Sequence, residues 1–333
     1  MGKPAAYYTE LFARLGGLLE GFGTVPETRA VAEAAVAANP WFTLSDVVFS
    51  VDAVRRNMLD AAVSARWLSY YGANERTVRS RVAVIMAGNI PLVGLSDLLC
   101  VVASDCIPYI KMSSKDSVLM EYVVGLLCGL APGIRVERYV PEERYDAAIA
   151  TGSDNANRYF RAQYAGIPAL LRGNRQSVAV LGGRETPAQL TALADDIWAY
   201  SGLGCRSVSL LFLPEGYDLQ LRMPEVNVKY RNSYRQQKAL LTMGGQPFRD
   251  LGAAVAVEER AFPAALSRIN YSFYKSPAEV GAWLAAHDAG LQCVVSECIA
   301  CRRRVDFGHA QSPGLTDYPD DRDVIEFLTT SCL

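Results

Sequence analysis

The sequence predicts an α/β protein built around a parallel sheet, and three observations carry that prediction. Strand-length apolar runs at 81–87, 145–151 and 177–183 lack the polar alternation of a half-exposed strand, as expected of strands covered on both faces. Stretches with helical spacing of apolar residues separate these runs. Turns rich in glycine, serine and proline close two of them, at Gly88-Asn89-Ile90-Pro91 and at Gly152-Ser153.

Taken in order, residues 5 to about 75 read mostly as helix, with apolar spacing clearest over 28–38 and 50–59. A buried strand at 81–87 leads through the Gly88–Pro91 turn into a helix at 92–102. The next strand is 108–112 and the next helix 117–130. A third strand at 145–151 turns at Gly152-Ser153 into a polar helix, and a fourth strand spans 177–183. Strands spaced by helices of this length call for right-handed crossovers between parallel neighbours. A helix over 187–200 then leads to Cys205 and a β-rich run at 207–213. A less regular region reaches about residue 304, a loop-like tail covers 305–315, and a last helix is read at 323–328.

The composition narrows the function classes. A chain of 333 residues, half hydrophobic and 20% charged, suits two domains with a substantial core. Its net charge of −2 leaves no footprint for nucleic acid or an anionic membrane surface. No apolar run reaches the length of a membrane span, and the opening residues show no signal-peptide pattern. A cytoplasmic location with reduced thiols is therefore expected for the eight scattered cysteines. Cys298 and Cys301 form a CxxC with Cys293 nearby. A tetrahedral zinc site needs four ligands, and the sequence has no second CxxC or paired histidine, so no metal is expected. His287 and His309 are the only histidines, which supplies a catalytic histidine poorly.

In parallel sheets ligands bind beyond the carboxyl ends of the strands, so Asn89, Lys111 and Gly152-Ser153 should gather on one edge. No GxGxxG follows the first strand, and Gly88–Pro91 is too short to wrap a pyrophosphate. Its asparagine can instead aim an amide at an oxyanion. Lys111 reads either as a solvated strand-end lysine or, with Ser113, Ser114 and Lys115, as a cation at the ribose end of a dinucleotide. Ser114 and Lys115 suit a 2′-phosphate better than an acidic residue would. Cys205 sits between a helix and a strand, preceded by Gly202-Leu203-Gly204. It reads either as a small core residue of a tight turn or as an accessible nucleophile with room for a carbonyl to approach.

Six segments in this order resemble the aldehyde dehydrogenase superfamily, and within it the luminescence-type (LuxC-like) fatty acyl-CoA reductases. They are Gly88-Asn89-Ile90-Pro91-Leu92-Val93-Gly94, Ile110-Lys111-Met112-Ser113-Ser114-Lys115, Ala150-Thr151-Gly152-Ser153, Arg175-Gln176-Ser177-Val178-Ala179-Val180, Gly202-Leu203-Gly204-Cys205-Arg206-Ser207 and Phe307-Gly308-His309-Ala310-Gln311-Ser312-Pro313. The resemblance implies a Rossmann-type cofactor domain over 1–183, N-terminal helices included. It implies a second α/β catalytic domain over 184–304, and a segment over 305–333 that returns to the first. It makes Cys205 the acyl-accepting nucleophile, with Asn89 and the Cys205 backbone N–H as the oxyanion hole. Lys111 would hold the adenosine ribose and its phosphate, with Thr151, Gly152 and Ser153 bordering the cofactor.

Hydrolytic relatives carry a glutamate where this chain has Leu171, and leucine is no general base. The implied activity is therefore reduction of an acyl-CoA or acyl-protein thioester to the aldehyde. The cofactor would be NADPH, with NADH as the other choice. An NAD-linked acylating dehydrogenase or a non-catalytic acyl carrier are the alternatives. The resemblance also implies a homo-oligomer and an acyl-transfer or acyl-activating partner protein. Arg206 reads as an ion-pair partner or as a cation depressing the thiol pKa. Tyr271, Phe273 and Tyr274 read as core or as an acyl channel.

Overall fold

The computed structural model describes residues 3–72, 79–221 and 223–331. The chain divides into two units, 1–174 with 312–333, and 175–311.

The first unit opens with four helices: α1 (Ala5–Leu18), α2 (Pro26–Ala38), α3 (Leu44–Asn57) and α4 (Ala61–Leu68). Their starts follow from local chemistry. Pro26 occupies the first turn of α2, where its missing N–H costs nothing. Thr43 and Asp46 form a reciprocal capping box on α3, and Asp60 caps α4. The helical reading up to about residue 75 thus ends earlier, at Leu68, and its last residues lie outside the described ones.

The sheet and its covering helices follow: β1 (Arg81–Ile85), α5 (Leu95–Ala103), β2 (Ile107–Lys111), α6 (Ser117–Leu130), β3 (Glu137–Arg138), β4 (Ala147–Thr151), α7 (Asp154–Gln163) and β5 (Ala169–Arg172). Among the described residues these five strands run parallel in the order β3-β2-β1-β4-β5. Alternate side chains serve two cores, as the strand repeat dictates. Val82, Val84, Ala147 and Ile149 pack with α1–α6. Ala83, Ile85, Ala148 and Ala150 pack with Tyr139, Tyr145, Tyr164 and the α7 residue Phe160. Burial on both faces is why these runs read as uninterrupted apolar sequence.

The second unit contains β6 (Gln176–Val180), α8 (Pro187–Trp198), β7 (Val208–Pro214), α9 (Val228–Met243), β8 (Arg249–Asp250), β9 (Val255–Glu258), β10 (Arg268–Tyr274), α10 (Pro277–Ala286), β11 (Leu291–Val295) and β12 (Arg304–Val305). Among the described residues its strands order as β12-β11-β6-β7-β10-β9-β8, parallel except where β8 meets β9.

Two sequence expectations are corrected here. The fourth strand, β6, belongs to this second sheet, so the division falls after Asn174 and not after residue 183. The region up to 304, read as less regular, carries most of a seven-stranded sheet. Its β10 buries the polar Asn270 and Ser272 and leaves the aromatic Tyr271 and Phe273 partly exposed, the reverse of the usual strand pattern.

After residue 311 the chain rejoins the first unit and ends in α11 (Val324–Ser331). Asn57 Nδ2 donates to the Ser312 carbonyl at 2.8 Å. Trp67 Nε1 donates to the Tyr318 hydroxyl at 2.7 Å, that hydroxyl pairs with Tyr71, and the Tyr71 hydroxyl donates to Asp323 at 2.6 Å. No described helix is long and apolar enough to cross a membrane.

Among the described residues, one ion pair lies within the first unit's interior. Arg172, at the end of β5, donates through one guanidinium nitrogen to both oxygens of Asp97 on α5, at 2.8 and 2.6 Å. Both side chains are more than nine-tenths buried. Removing one partner strands a buried charge, so Asp97→Ala should lower unfolding free energy by about 3–5 kcal/mol. Chemical denaturation of the full chain checks this, and a loss below 1 kcal/mol would place the pair effectively in water.

Candidate active site

The carboxyl edge of the first sheet collects the turns singled out in the sequence. Lys111 at the end of β2 pairs in register with Ile85 at the end of β1, and Ile85 pairs with Ala150 of β4. Thr151 pairs with Arg172. The strand order reverses direction between β1 and β4, where a parallel sheet opens a crevice. The Gly88–Pro91 turn and the Gly152-Ser153 turn leave from these two strands.

Gly88 is required by close approach. A Cβ there would lie 2.5 Å from Ser113 Cβ and Oγ and 3.2 Å from Asp116 Cβ. The Asn89 turn is then pinned from two sides: Asp116 accepts from the Leu92 N–H at 2.8 Å, and Ser50 donates to the Pro91 carbonyl at 2.8 Å. Leu92 takes a left-handed conformation, φ 56°, which is costly for a leucine and persists because its surroundings hold it. Asn89 itself is partly exposed.

Lys111, Ser114 and Lys115 are exposed on the same edge. The Lys111 ammonium lies 6.0 Å from the centre of the Tyr139 ring. Ser113 Oγ accepts from the Lys115 N–H at 3.3 Å. Gly152 sits where a Cβ would meet Ala156 and Phe160, at 2.9 and 3.0 Å, so the turn packs directly onto α7. Ser153 caps that helix, accepting from the Ala156 N–H. Leu171 packs with Tyr164 and Ala150.

Cys205 lies in the second unit on the connection from α8 to β7, and three consecutive left-handed residues shape that connection. Tyr200, Ser201 and Gly202 have φ of 54°, 56° and 65°. Only the glycine adopts this conformation cheaply, so the turn stores strain of order 1–3 kcal/mol per residue at Tyr200 and Ser201. Ser207 N–H then bonds the Gly204 carbonyl at 3.0 Å, closing a tight turn with Cys205 inside it. Cys205 and Arg206 are partly exposed.

Buried polar groups that sequence reasoning passed over support this turn. Asp196 on α8 has no exposed surface. It accepts from the Gly308 and Ala310 N–H groups at 2.7 and 2.9 Å. Gln311 donates to the Asp196 carbonyl at 3.0 Å and to Ser207 Oγ at 3.2 Å. Thus the Phe307–Gln311 stretch braces the Cys205 turn, while His309 is exposed. Ser177 at the start of β6 donates to the Cys205 carbonyl at 2.9 Å. A signal existed for both: a serine opening an apolar strand, and an aspartate among Leu193, Ala194, Ile197 and Trp198 on the buried helix face.

The other sequence candidates fall elsewhere. Cys293 is buried within β11, whereas Cys298 is exposed beyond its end, and among the described residues no three metal-ligating groups come together. Tyr274 is buried and donates to the Leu181 carbonyl at 2.7 Å. Tyr271 and Phe273 meet edge to face at 5.8 Å.

Comparison of the structure with solved structures gives extensive matches. Aldehyde dehydrogenase 21 from Physcomitrella patens, solved with the reaction product succinate, superposes with a TM-score of 0.69 over 99% of this chain and 85% of its own, at 10% identity. A NAD-dependent benzaldehyde dehydrogenase from Corynebacterium glutamicum gives 0.64 over 89% and 77%, at 14% identity. A Mycobacterium tuberculosis aldehyde dehydrogenase complexed with NAD+ gives 0.61 over 88% and 73%, at 13% identity. The fold is that of the aldehyde dehydrogenases. No protein-family model and no curated protein sequence matches the chain.

Two buried carboxyls lie beside the candidate residues, one in each unit. Burial pushes both Asp116 and Asp196 up to about 7, against hydrogen bonds from backbone N–H groups that pull them down. One Asp116 oxygen has no hydrogen-bond partner among the described residues. A carboxyl with a raised folded pKa stabilises the fold fully below its ordinary value of 3.8, and that contribution is lost as pH rises through about 7. Unfolding free energy should therefore fall between pH 4 and 7, by at most about 1.4 kcal/mol per pH unit for each group. Asp116→Asn should flatten the slope. Denaturant midpoints across that range check it, and an unchanged slope in the variant would exclude Asp116 as its source.

Proposed function

We propose that this protein reduces an acyl thioester, acyl-CoA, to the corresponding aldehyde through an acyl group held on Cys205. The observation that carries the reading is the strained turn from Tyr200 to Ser207, which presents one partly exposed cysteine ahead of β7. Left-handed non-glycine residues concentrate at functional sites because such strain has to be maintained by the surrounding structure. The aldehyde dehydrogenase fold supports the reading.

Cys205 attacks the thioester carbonyl carbon as thiolate. The carbon–sulfur bond to coenzyme A breaks, and the leaving thiolate takes up a proton. Asn89 and the Cys205 backbone N–H are proposed to stabilise the oxyanion of this step and of the thiohemiacetal that follows. By the resemblance, leucine stands at 171 where hydrolytic relatives carry the water-activating glutamate, and the acyl group is accordingly proposed to persist on Cys205. When bound, reduced nicotinamide supplies the hydride. The donors exposed on the first sheet's carboxyl edge, the Lys111 and Lys115 ammonium groups and the Ser114 hydroxyl, fit a phosphorylated ribose. This favours NADPH, with Thr151, Gly152 and Ser153 bordering the dinucleotide. Return of the Cys205 thiolate from the thiohemiacetal releases aldehyde.

A second reading is an NAD-linked acylating dehydrogenase working from aldehyde to acyl-CoA. It draws on two of the similar structures, one NAD-dependent and one bound to NAD+. Rates in both directions with each cofactor separate the two. Acyl transfer to Cys205 without cofactor turnover would instead indicate a carrier.

Intact-mass analysis after exposure to a panel of acyl-CoAs, with and without NADPH, tests the proposal. Wild-type protein should gain one acyl group, lose it when NADPH is added, and show no adduct as Cys205→Ala. An adduct that survives this substitution would move the nucleophile elsewhere. Loss of one oxyanion donor costs about 3 kcal/mol, so Asn89→Ala should slow turnover on the order of a hundredfold. Steady-state kinetics check this, and a wild-type rate would remove Asn89 from the oxyanion site.

A further inference from the structure

We infer that the Ser177 hydroxyl, buried between Cys205 and Cys293, is a positioning group for Cys205. The inference rests on the reading of Cys205 as nucleophile.

Ser177 has no exposed surface and occupies a place where the sheet is irregular on both sides. Toward β7 it pairs with Val208, yet the next residue, Val178, pairs with Leu210, so Ser209 is passed over. Toward β11 the register shifts between Leu291 and Val294, the interval that contains Cys293. Irregularities of this kind re-aim side chains and interrupt the ladder, and they are frequent beside active sites.

One hydroxyl serves the groups around this interruption. Ser177 Oγ lies 2.9 Å from the Cys205 carbonyl oxygen, 3.1 Å from the Cys293 backbone nitrogen and 3.1 Å from the Cys293 sulfur. A serine hydroxyl has one proton and two lone pairs. A carbonyl can only accept, so the proton is committed to Cys205. A backbone N–H can only donate, so it takes one lone pair. The remaining lone pair faces Cys293 Sγ, which must then donate its S–H. Burial pushes the Cys293 thiol up to about 11, which agrees with a protonated donor.

The hydroxyl is therefore saturated and cannot rotate toward another partner without breaking a bond. Its bond fixes the carbonyl of Cys205, and with it the peptide plane joining Cys205 to Arg206. The preceding left-handed residues hold the turn from one side, and Ser177 holds it from the other. Freeing the carbonyl lets that plane rotate and turns the thiol away from its line of attack, a displacement to which reaction rates are steeply sensitive.

Alkylation of Cys205 by iodoacetamide in the full-length chain, followed by peptide mass analysis across pH, tests this. Ser177→Ala should slow alkylation about tenfold, the worth of roughly one hydrogen bond, and displace the pH midpoint. Ser177→Thr, which keeps the hydroxyl, should recover most of the rate. In turnover the alanine variant should lose kcat with little change in KM. Cys293→Ala leaves the Ser177–Cys205 bond in place and should keep the wild-type alkylation profile.

A folded Ser177→Ala with the wild-type profile overturns the inference. So does a Ser177→Ala chain that fails to fold while Cys293→Ala loses the same reactivity, because the dependence would then lie with the packing of β6 and β11. A wild-type Cys205 inert to both iodoacetamide and acyl-CoA removes the nucleophile reading beneath it, an outcome separable from the other two.

Discussion

Parallel strands covered on both faces leave little room for polar side chains between layers, and this constraint organises both units. In the first sheet the residues that alternate along β1 and β4 enter one of two apolar cores. Hydrogen-bonding capacity is displaced to the strand ends, where the Asn89, Lys111 and Gly152 turns lie. In the second unit Val178, Val180, Leu210 and Phe212 repeat the arrangement around a core of their own. Chemistry on such a scaffold belongs at the edges.

Some of the polar groups that do enter the interior are correspondingly informative. Arg172 and Asp97 neutralise one another at the end of β5. Asp116 reaches back to the turn that carries Asn89. Asp196, Ser177 and Gln311 surround the turn that carries Cys205. The groups around the Asn89 and Cys205 turns bear on segments whose backbone is left-handed or irregular, as expected where unfavourable local geometry must be over-determined by its surroundings. The candidate residues themselves are held by groups that would not touch a substrate.

How much of this was legible in the sequence depended on whether the signal was local. β1 and β4 were plain because double-sided burial writes an apolar run. The two-residue strands β3, β8 and β12 carry no periodicity to detect. The polar Asn270 and Ser272 interrupt the apolar pattern of β10. β6 is legible as a strand but its sheet is not, since chain order does not record which neighbours a strand will find. Likewise Cys205 and Asn89 stood out through the small residues and turns beside them. Ser177 and Asp196 did not, because their partners are distant: Ser177 meets Cys293 116 positions away and Asp196 meets Ala310 114 positions away.

The tethering of Tyr318 and Asp323 to Trp67 and Tyr71 has a consequence for the order in which the molecule can be built. The second unit is one uninterrupted stretch, 175–311, whereas the first is closed only by residues that come after it. During synthesis, the sheet bearing Cys205 can therefore finish assembling while the earlier-made sheet still lacks α11 and the tyrosine latch. Residues made after the second unit are what complete the unit begun before it.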